Sequence, residues 1–536
     1  MTDDHSLNKV DRFVLGGLGI LVVIVFILML RDVAAFGVDD SFIFFRYAEN
    51  VANGHGFVFN PGEPAGEGFT SWMWLLMLAL FHYIGMNIIL VSKVIGIFFH
   101  LMGGVLVFLL VLRTAGKRPV SKITAGILTA GFLLNYRLNA HSVSGMETSL
   151  YIFLLVLLIY VTILALQSPA AQDRWWLMIC LCVLGLFFLR PEGIVAGGIS
   201  LLALGIHQRK RLLKPMIWLY VFTGLIVPLV LFISMKLFIF GGPLPHSYYH
   251  KLIGENVYFN YSIRHFLSFI KTYGWLIAAA VFSMIHIVRA GKRQYNRYLF
   301  FYPAVLFLVM ISIYLLFYPA MNYLHRFYIP YLPLLLVMIG PLLQFFLEKI
   351  NRVRHSIPRL SGTAILLVSL VLGMNIGLES SMKNVRFWAK MVNPKIYRAK
   401  LGKIMSHLPP GVTVANTEMG VIPYYSGLTC IDMAGLIDPV ITHNGLSMEY
   451  LEERGVDLIL FPKNVERLLK EDKWEEHFRR YKAVFLSPRF KDKFVRLGTF
   501  AAWPGGKKYY LYADKTSPRF AAMQQWQQKF AAGPEQ

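Results

Sequence analysis

Long apolar runs recur through the first 378 residues of the chain, separated by short polar stretches. Eleven read as membrane crossings: 13–30, 87–112, 121–136, 149–166, 176–189, 193–206, 216–239, 268–288, 298–317, 327–347 and 361–378. Two of these, 176–189 and 193–206, are short, with Arg190-Pro191-Glu192-Gly193 at the bend between them. They read either as two crossings or as one re-entrant hairpin. A further patch, Trp72–Ile84, is about 13 residues long, too short to span and typical of a helix lying in the interface. No stretch shows the alternation of a membrane barrel strand. The predicted fold class is an all-α polytopic membrane protein of about eleven transmembrane helices, followed by a smaller domain of different composition.

That domain begins after Leu378, where 24 Lys and Arg stand against 16 Asp and Glu and no further spanning run occurs. Strand-like runs at Val412–Ala415, Leu458–Phe461, Val484–Leu486 and Lys508–Tyr512 alternate with helix-compatible segments at Tyr450–Arg454 and Val465–His477. The pattern predicts an α/β or α+β domain over 379–517. Residues 518–536, rich in Gln and Ala, read as a loose helix or tail.

Charge orients the crossings. The net charge is +23, and much of it sits in short clusters between apolar runs. Excluding Trp72–Ile84 as a crossing places four clusters on one side of the membrane. They are Arg113 with Lys117, Arg118 and Lys122; Arg209 to Arg211 with Lys214; Arg289 with Lys292, Arg293 and Arg297; and Lys349 with Arg352, Arg354 and Arg359. By the positive-inside bias that side is cytoplasmic. The N-terminus then lies inside as an uncleaved anchor, and both the first loop, 31–86, and the C-terminal domain lie outside. The basic balance is thus accounted for by topology, and nothing beyond net charge supports a nucleic-acid role. The three cysteines form no disulfide framework.

With this topology the unusual polar residues gather at the outer loop ends. The first loop carries Asp39, Asp40, Arg46, Tyr47, His55, Asn60, Glu63 and Glu67; later loops add His141, Glu147, Arg190, Glu192, His246, Tyr248, Lys251, Asn322, His325 and Arg326. Arg190, Lys251 and Arg326 can hold a phosphate at the membrane surface. A first-loop carboxylate can take a proton from an acceptor hydroxyl. Together these groups suit transfer from a lipid-linked phosphate donor to an outside acceptor. No Gly-rich Lys loop for ATP is present, so the energy must arrive with the donor.

Each residue also has a plainer role available. Asp39 and Asp40 can open a helix, Glu147 and Glu192 can cap helices, and Arg190 can extend to the interface. His55, between two glycines, suits a turn. Asp39, Asp40 and His55 could instead share a divalent cation, although no spacing compels it. Glu418, Asp432 and Asp438 are candidates for acceptor contact or loop capping.

The run DDSFIFFRYAENVANGHGFVFNPGEPAGEGFTSW resembles the first outer loop of the GT-C superfamily of polyprenyl-phosphate-sugar glycosyltransferases. It is most similar to the branch containing the terminal β-(1→2)-arabinofuranosyltransferase of actinobacterial arabinan. SGMETSL, LRPEG, GGPLPHSYYHK, MNYLHRFYIPYLP and VIPYYSGLTCIDMAGLID resemble later motifs of that branch, in the same order. The resemblance covers most of residues 30–440. It departs at Ala65-Gly66, at Phe69 where tyrosine is usual, and at His246 where asparagine is common.

The resemblance implies a GT-C transmembrane catalytic domain over 1–378, with an interfacial helix in the first loop. It implies a catalytic aspartate at Asp39 or Asp40 and a donor phosphate near Arg190, Lys251 and Arg326. Arg46, Tyr47, His55, Asn60, Glu67, Glu147, Glu192, His246, Tyr248, Asn322 and His325 are then candidates for sugar or acceptor binding. The implied donor is a polyprenyl-phosphate monosaccharide, with arabinofuranose one candidate. The implied acceptor is an envelope glycan, lipopolysaccharide or protein-linked glycan at the outer face of a bacterial cytoplasmic membrane. A glycan ligase or oligosaccharyltransferase is the alternative within the same fold, and a non-enzymatic lipid or sugar transporter ranks last.

Overall fold

A computed structural model describes residues 9–115, 119–168, 173–245, 257–290, 298–316, 322–351, 356–472, 474–501 and 508–531. The chain divides into two compact units. One comprises Met1–Ala34, Ser92–Phe232 and Glu255–Val385; the other comprises Ala35–Val91, Ile233–Gly254 and Arg386–Gln536.

The protein is a multi-pass membrane protein. Among the described residues seven helices are long and apolar enough to cross a bilayer, and an eighth span is possible by length if the bent pair Ser361–Met374 and Leu378–Met405 counts as one. Four shorter apolar helices are Trp72–Tyr83, Val120–Leu133, Arg174–Leu189 and Gly193–His207. Each of the eleven predicted crossings thus falls on a helix; three of them fall on the shorter apolar helices, and a fourth, 361–378, on the bent pair. The 121–136 crossing ends early, at Leu133, because Asn135 caps a separate helix, Tyr136–Ser142, by accepting from Arg137 N and Leu138 N. The same Asn135 donates to Tyr273 OH and to the Met374 carbonyl, where the helix Ser356–Met374 stops. Large apolar side chains such as Leu101, Val105, Leu202, Phe282 and Leu308 face outward, as lipid-facing positions do.

In the second unit the helix Asp39–Ala52 and the apolar helix Trp72–Tyr83 pack together, and the former also packs on Val421–Ser426. A five-stranded mixed sheet is built from β1 (Thr413–Asn416), β2 (Thr429–Asp432), β3 (Leu458–Phe461), β4 (Phe494–Ala501) and β5 (Lys508–Asp514), in the order β2-β1-β3-β5-β4. The first three strands are parallel; β5 runs antiparallel to β3 and β4. All four residues of β3 are buried, as expected of a central strand covered on both faces.

The predicted strand at Val484–Leu486 is instead the end of a short helix, Lys482–Leu486, whose Val484 and Phe485 enter the core with Phe461 and Tyr512. A three-residue apolar run carries no period that separates strand from helix. The C-terminal segment is not loose: the helix Phe520–Ala531 packs on β4, and Trp526 donates to the Ile404 carbonyl.

Candidate functional site

In the first unit, Glu147 ends the loop that starts the helix Thr148–Gln167. Its Oε1 accepts from Arg190 Nε at 2.8 Å and from Arg326 Nη2 at 3.5 Å. All three residues are buried. Arg190 follows the helix Arg174–Leu189, and Pro191 breaks the chain before the next helix. Its guanidinium faces the rings of Tyr151 and Phe327, and Arg326 faces Tyr323 and Phe327. Burial alone would raise the Glu147 carboxyl, but the two arginines outweigh it and hold it below the ordinary value.

Among the described residues, Arg190 Nη1 and Glu147 Oε2, both buried, have no hydrogen-bond partner. An unfilled guanidinium donor in a buried site is an expensive feature to leave without a ligand.

The neighbouring residues have their own partners. Glu192 accepts from Tyr314 OH at 2.6 Å. Asn322 accepts from Phe327 N, while its buried Nδ2 has no partner among the described residues. Leu324 and His325 both adopt left-handed backbone, at φ 49° and 60°, so the turn that delivers Arg326 is strained. The His325 ring turns toward Thr272, Phe269 and Tyr273. Lys251, His246 and Tyr248 lie outside the described residues.

In the second unit, Asp39 and Asp40 open the helix Asp39–Ala52, where carboxylates complement the helix dipole. Asp39 is buried, and its Oδ1 accepts from Val421 N at 3.1 Å and pairs with Arg398 Nη1 at 3.4 Å. Arg398, buried in turn, reaches Glu418 Oε1 at 2.7 Å through Nη2. Asp40 is half-exposed. Burial, opposed by Arg398 and reinforced by the charges of Asp39 and Asp40, pushes the Glu418 carboxyl up to about 7.

The remaining first-loop candidates hold the unit together. Arg46 donates to the carbonyls of Phe59, Pro423 and Leu428 and to Asn60 Oδ1, at 2.6–3.0 Å. Asn60 behaves like one more strand residue beside β2, accepting from Cys430 N and donating to Cys430 O. Tyr47 accepts from Gly68 N; a Cβ at Gly68 would lie 2.9 Å from that hydroxyl and 2.8 Å from Ile437, so only glycine fits. Glu67 accepts from Trp72 Nε1 at 2.7 Å and pairs with Lys236 at 2.9 Å. Glu63 pairs with Arg454. His55 is an exposed turn residue between Gly54 and Gly56, both with positive φ.

Asp432 and Asp438 cap local loops. Asp432 accepts from Ala434 N, Leu436 N and Ile437 N, and Asp438 caps the helix Pro439–Asn444. Asp39, Asp40 and His55 do not converge: among the described residues no group of three or more His, Cys, Asp or Glu is placed to share a metal ion.

Several of these groups were named from sequence as candidates. Among those that were not, Arg398 carries no local signal, since it is one of many basic residues after Leu378.

Residues 385–512 match the family model DUF8728, described as a domain of unknown function. No curated protein matches the sequence. The structure is similar to the crystal structure of ArnT from Cupriavidus metallidurans bound to undecaprenyl phosphate, with a TM-score of 0.57 at 11% identity, covering 94% of this chain and 98% of that one. The apo form of ArnT gives the same score over 93% of this chain and 98% of that one, also at 11% identity. The archaeal oligosaccharyltransferase AglB from Archaeoglobus fulgidus, in complex with an inhibitory peptide and a dolichol-phosphate, gives 0.52 at 10% identity over 92% of this chain and 74% of that one. The fold is therefore ArnT-like.

Proposed function

We propose that this protein is a membrane glycosyltransferase that moves a monosaccharide from a polyprenyl-phosphate donor to an envelope glycan, lipopolysaccharide or protein-linked acceptor. The observation that carries the reading is the buried pair Arg190 and Arg326 on Glu147, with Arg190 Nη1 unfilled. Two guanidiniums suit a phosphodiester and the charge it gains on leaving. ArnT, bound to undecaprenyl phosphate, and AglB, with dolichol-phosphate, share the fold, which supports a lipid-phosphate ligand here. Lys251 is a further candidate for the same phosphate.

Asp40 is the base in this reading. Asp39 is committed to Arg398 and Val421 N, whereas Asp40 keeps exposure at the start of the same helix. Asp40 takes the proton from the acceptor hydroxyl as its oxygen bonds to the anomeric carbon. The bond from that carbon to the phosphate oxygen breaks, and polyprenyl phosphate leaves. The site faces the outside of a bacterial cytoplasmic membrane, as the positive-inside distribution supports.

The test supplies purified protein in nanodiscs with polyprenyl-phosphate monosaccharides, arabinofuranose first and hexoses next, plus a deacylated envelope glycan. Mass spectrometry reads sugar addition and polyprenyl phosphate release. Wild-type protein transfers one sugar per donor, and Asp40→Asn at normal membrane level loses about 100-fold or more. Full activity in that variant removes Asp40 as the base; a requirement for a lipid-linked oligosaccharide would move the reading to the oligosaccharyltransferase class.

A further inference from the structure

We propose that the domain over 385–512 is a positioning domain for the first loop: its Arg398 and its Gly420–Val421 turn hold Asp39, and so present Asp40. The inference rests on the base assignment above and gives a role to a domain described only as one of unknown function.

The helix Asp39–Ala52 has no side-chain cap of its own, Val38 standing at its N-cap. Its first residue is instead fixed from a segment far along the chain. Asp39 Oδ1 takes the Val421 amide at 3.1 Å. The approach at Gly420 is closer still. A Cβ there would lie 2.1 Å from the Asp39 carbonyl oxygen and 2.5 Å from Asp39 Oδ2, distances no side chain tolerates. Glycine is required because two backbones meet, and the meeting point is the residue next to Asp40.

Charge makes the same connection. Asp39, Asp40 and Glu418 bring three carboxylates within mutual influence. Arg398, 2% exposed, bridges Asp39 and Glu418 with two different nitrogens. A planar fork can do this; a lysine ammonium cannot reproduce both contacts. Without the guanidinium the three carboxylates repel one another, and the helix start carrying two of them loses its anchor. Aromatic contacts between Phe42 and both Tyr424 and Tyr425 fix the next turn of the helix against the same segment.

Arg398 and Gly420 thus act on chemistry through Asp39, as positioning elements. The experiment uses the full chain in nanodiscs and the variants Arg398→Gln, Arg398→Lys and Gly420→Ala. Three readouts are taken: kcat and KM for the donor that wild type consumes, affinity for undecaprenyl phosphate, and hydrogen exchange by mass spectrometry. We expect kcat to fall about 100-fold in Arg398→Gln and Gly420→Ala, as misplacement of a reacting group by about 1 Å would cause. KM and undecaprenyl phosphate affinity stay within about threefold, since the change acts on the transition state alone. Arg398→Lys recovers part of the loss.

Amides over 36–50 exchange about tenfold faster or more in the two disabling variants, as loss of one charge-assisted hydrogen bond implies. Amides over 148–167 do not change. Unchanged exchange over 36–50, or unchanged kcat with faster exchange, overturns the inference. Gly420→Ala keeps Arg398, so failure of one variant to fold still leaves the other to decide. A wild-type protein that consumes no polyprenyl-phosphate sugar ends the transferase reading; the exchange data still decide whether these residues hold the helix.

Discussion

Substituting Glu147 by glutamine tests the arginine cluster directly, because it removes one charge and leaves the shape. In the native protein the carboxylate meets Arg190 at 2.8 Å and Arg326 at 3.5 Å, with all three side chains nearly closed to solvent. At an effective dielectric of 20, two unit charges separated by 4 Å attract by about 4 kcal/mol. Breaking a buried pair by removing one partner generally costs about 3–5 kcal/mol. The glutamine oxygen can still accept from Arg190 Nε, which places the expected loss toward the low end, about 3 kcal/mol.

The variant has a second effect, opposite in sign. Glu147 competes with any anion for the two guanidiniums, so its neutralisation strengthens a phosphate ligand. A ligand at 100 times its Kd stabilises the folded form by about 2.7 kcal/mol. Thermal unfolding in detergent, with and without undecaprenyl phosphate, separates the effects. The apo variant unfolds well below wild type, and the lipid raises its midpoint by more than it raises that of wild type. A variant as stable as wild type would refute the energetic role of the pair. A smaller lipid-induced shift than wild type would refute the phosphate assignment.

Three further outcomes follow from named contacts. Arg46→Leu strips partners from the carbonyls of Phe59, Pro423 and Leu428 and should destabilise the unit by at least about 3 kcal/mol, at about 1–3 kcal/mol per orphaned acceptor, read by hydrogen exchange over 39–60. Arg46→Lys should restore only part of it, because one ammonium cannot serve four separated acceptors. Glu418, raised to about 7 from an ordinary 4.5, is protonated in the folded form across a range where the unfolded chain has released the proton. Its stabilising contribution is therefore full below pH 4.5 and lost as pH rises through about 7, and Glu418→Gln should flatten the unfolding midpoint over that window. Asp432, raised by burial to about 6, should add a loss of the same sign at lower pH, removed in Asp432→Asn.

How far the sequence reached depends on whether a feature is local. The helices at Ile88–Ala115 and Thr148–Gln167 follow from unbroken apolar runs, and the short helix Trp72–Tyr83 from a run too short to span. The Asp39-Asp40 pair and the Arg190, Glu147 and Arg326 trio were legible as unusual polar residues at the ends of such runs. Which of them pair, and with what, was not. Arg46 could have faced a substrate on any reading of its neighbours, yet its donors are spent on backbone carbonyls.

What the sequence by itself determined is the membrane character, the position of most helices, the separate composition after Leu378 and the polar residues worth asking about. All of these depend on residues close together in the chain. Tertiary structure alone decided which charges meet. Asn60 pairs with Cys430, 370 residues away, and Asp39 with Val421, 382 residues away. Burial demands that each polar group find a partner, but not which one; only the path of the chain supplies that. The same path turned Val484–Leu486 from strand to helix and docked Phe520–Ala531 on β4. It also separated the two aspartates: one is held by a distant arginine, the other stands half-exposed at the same helix end.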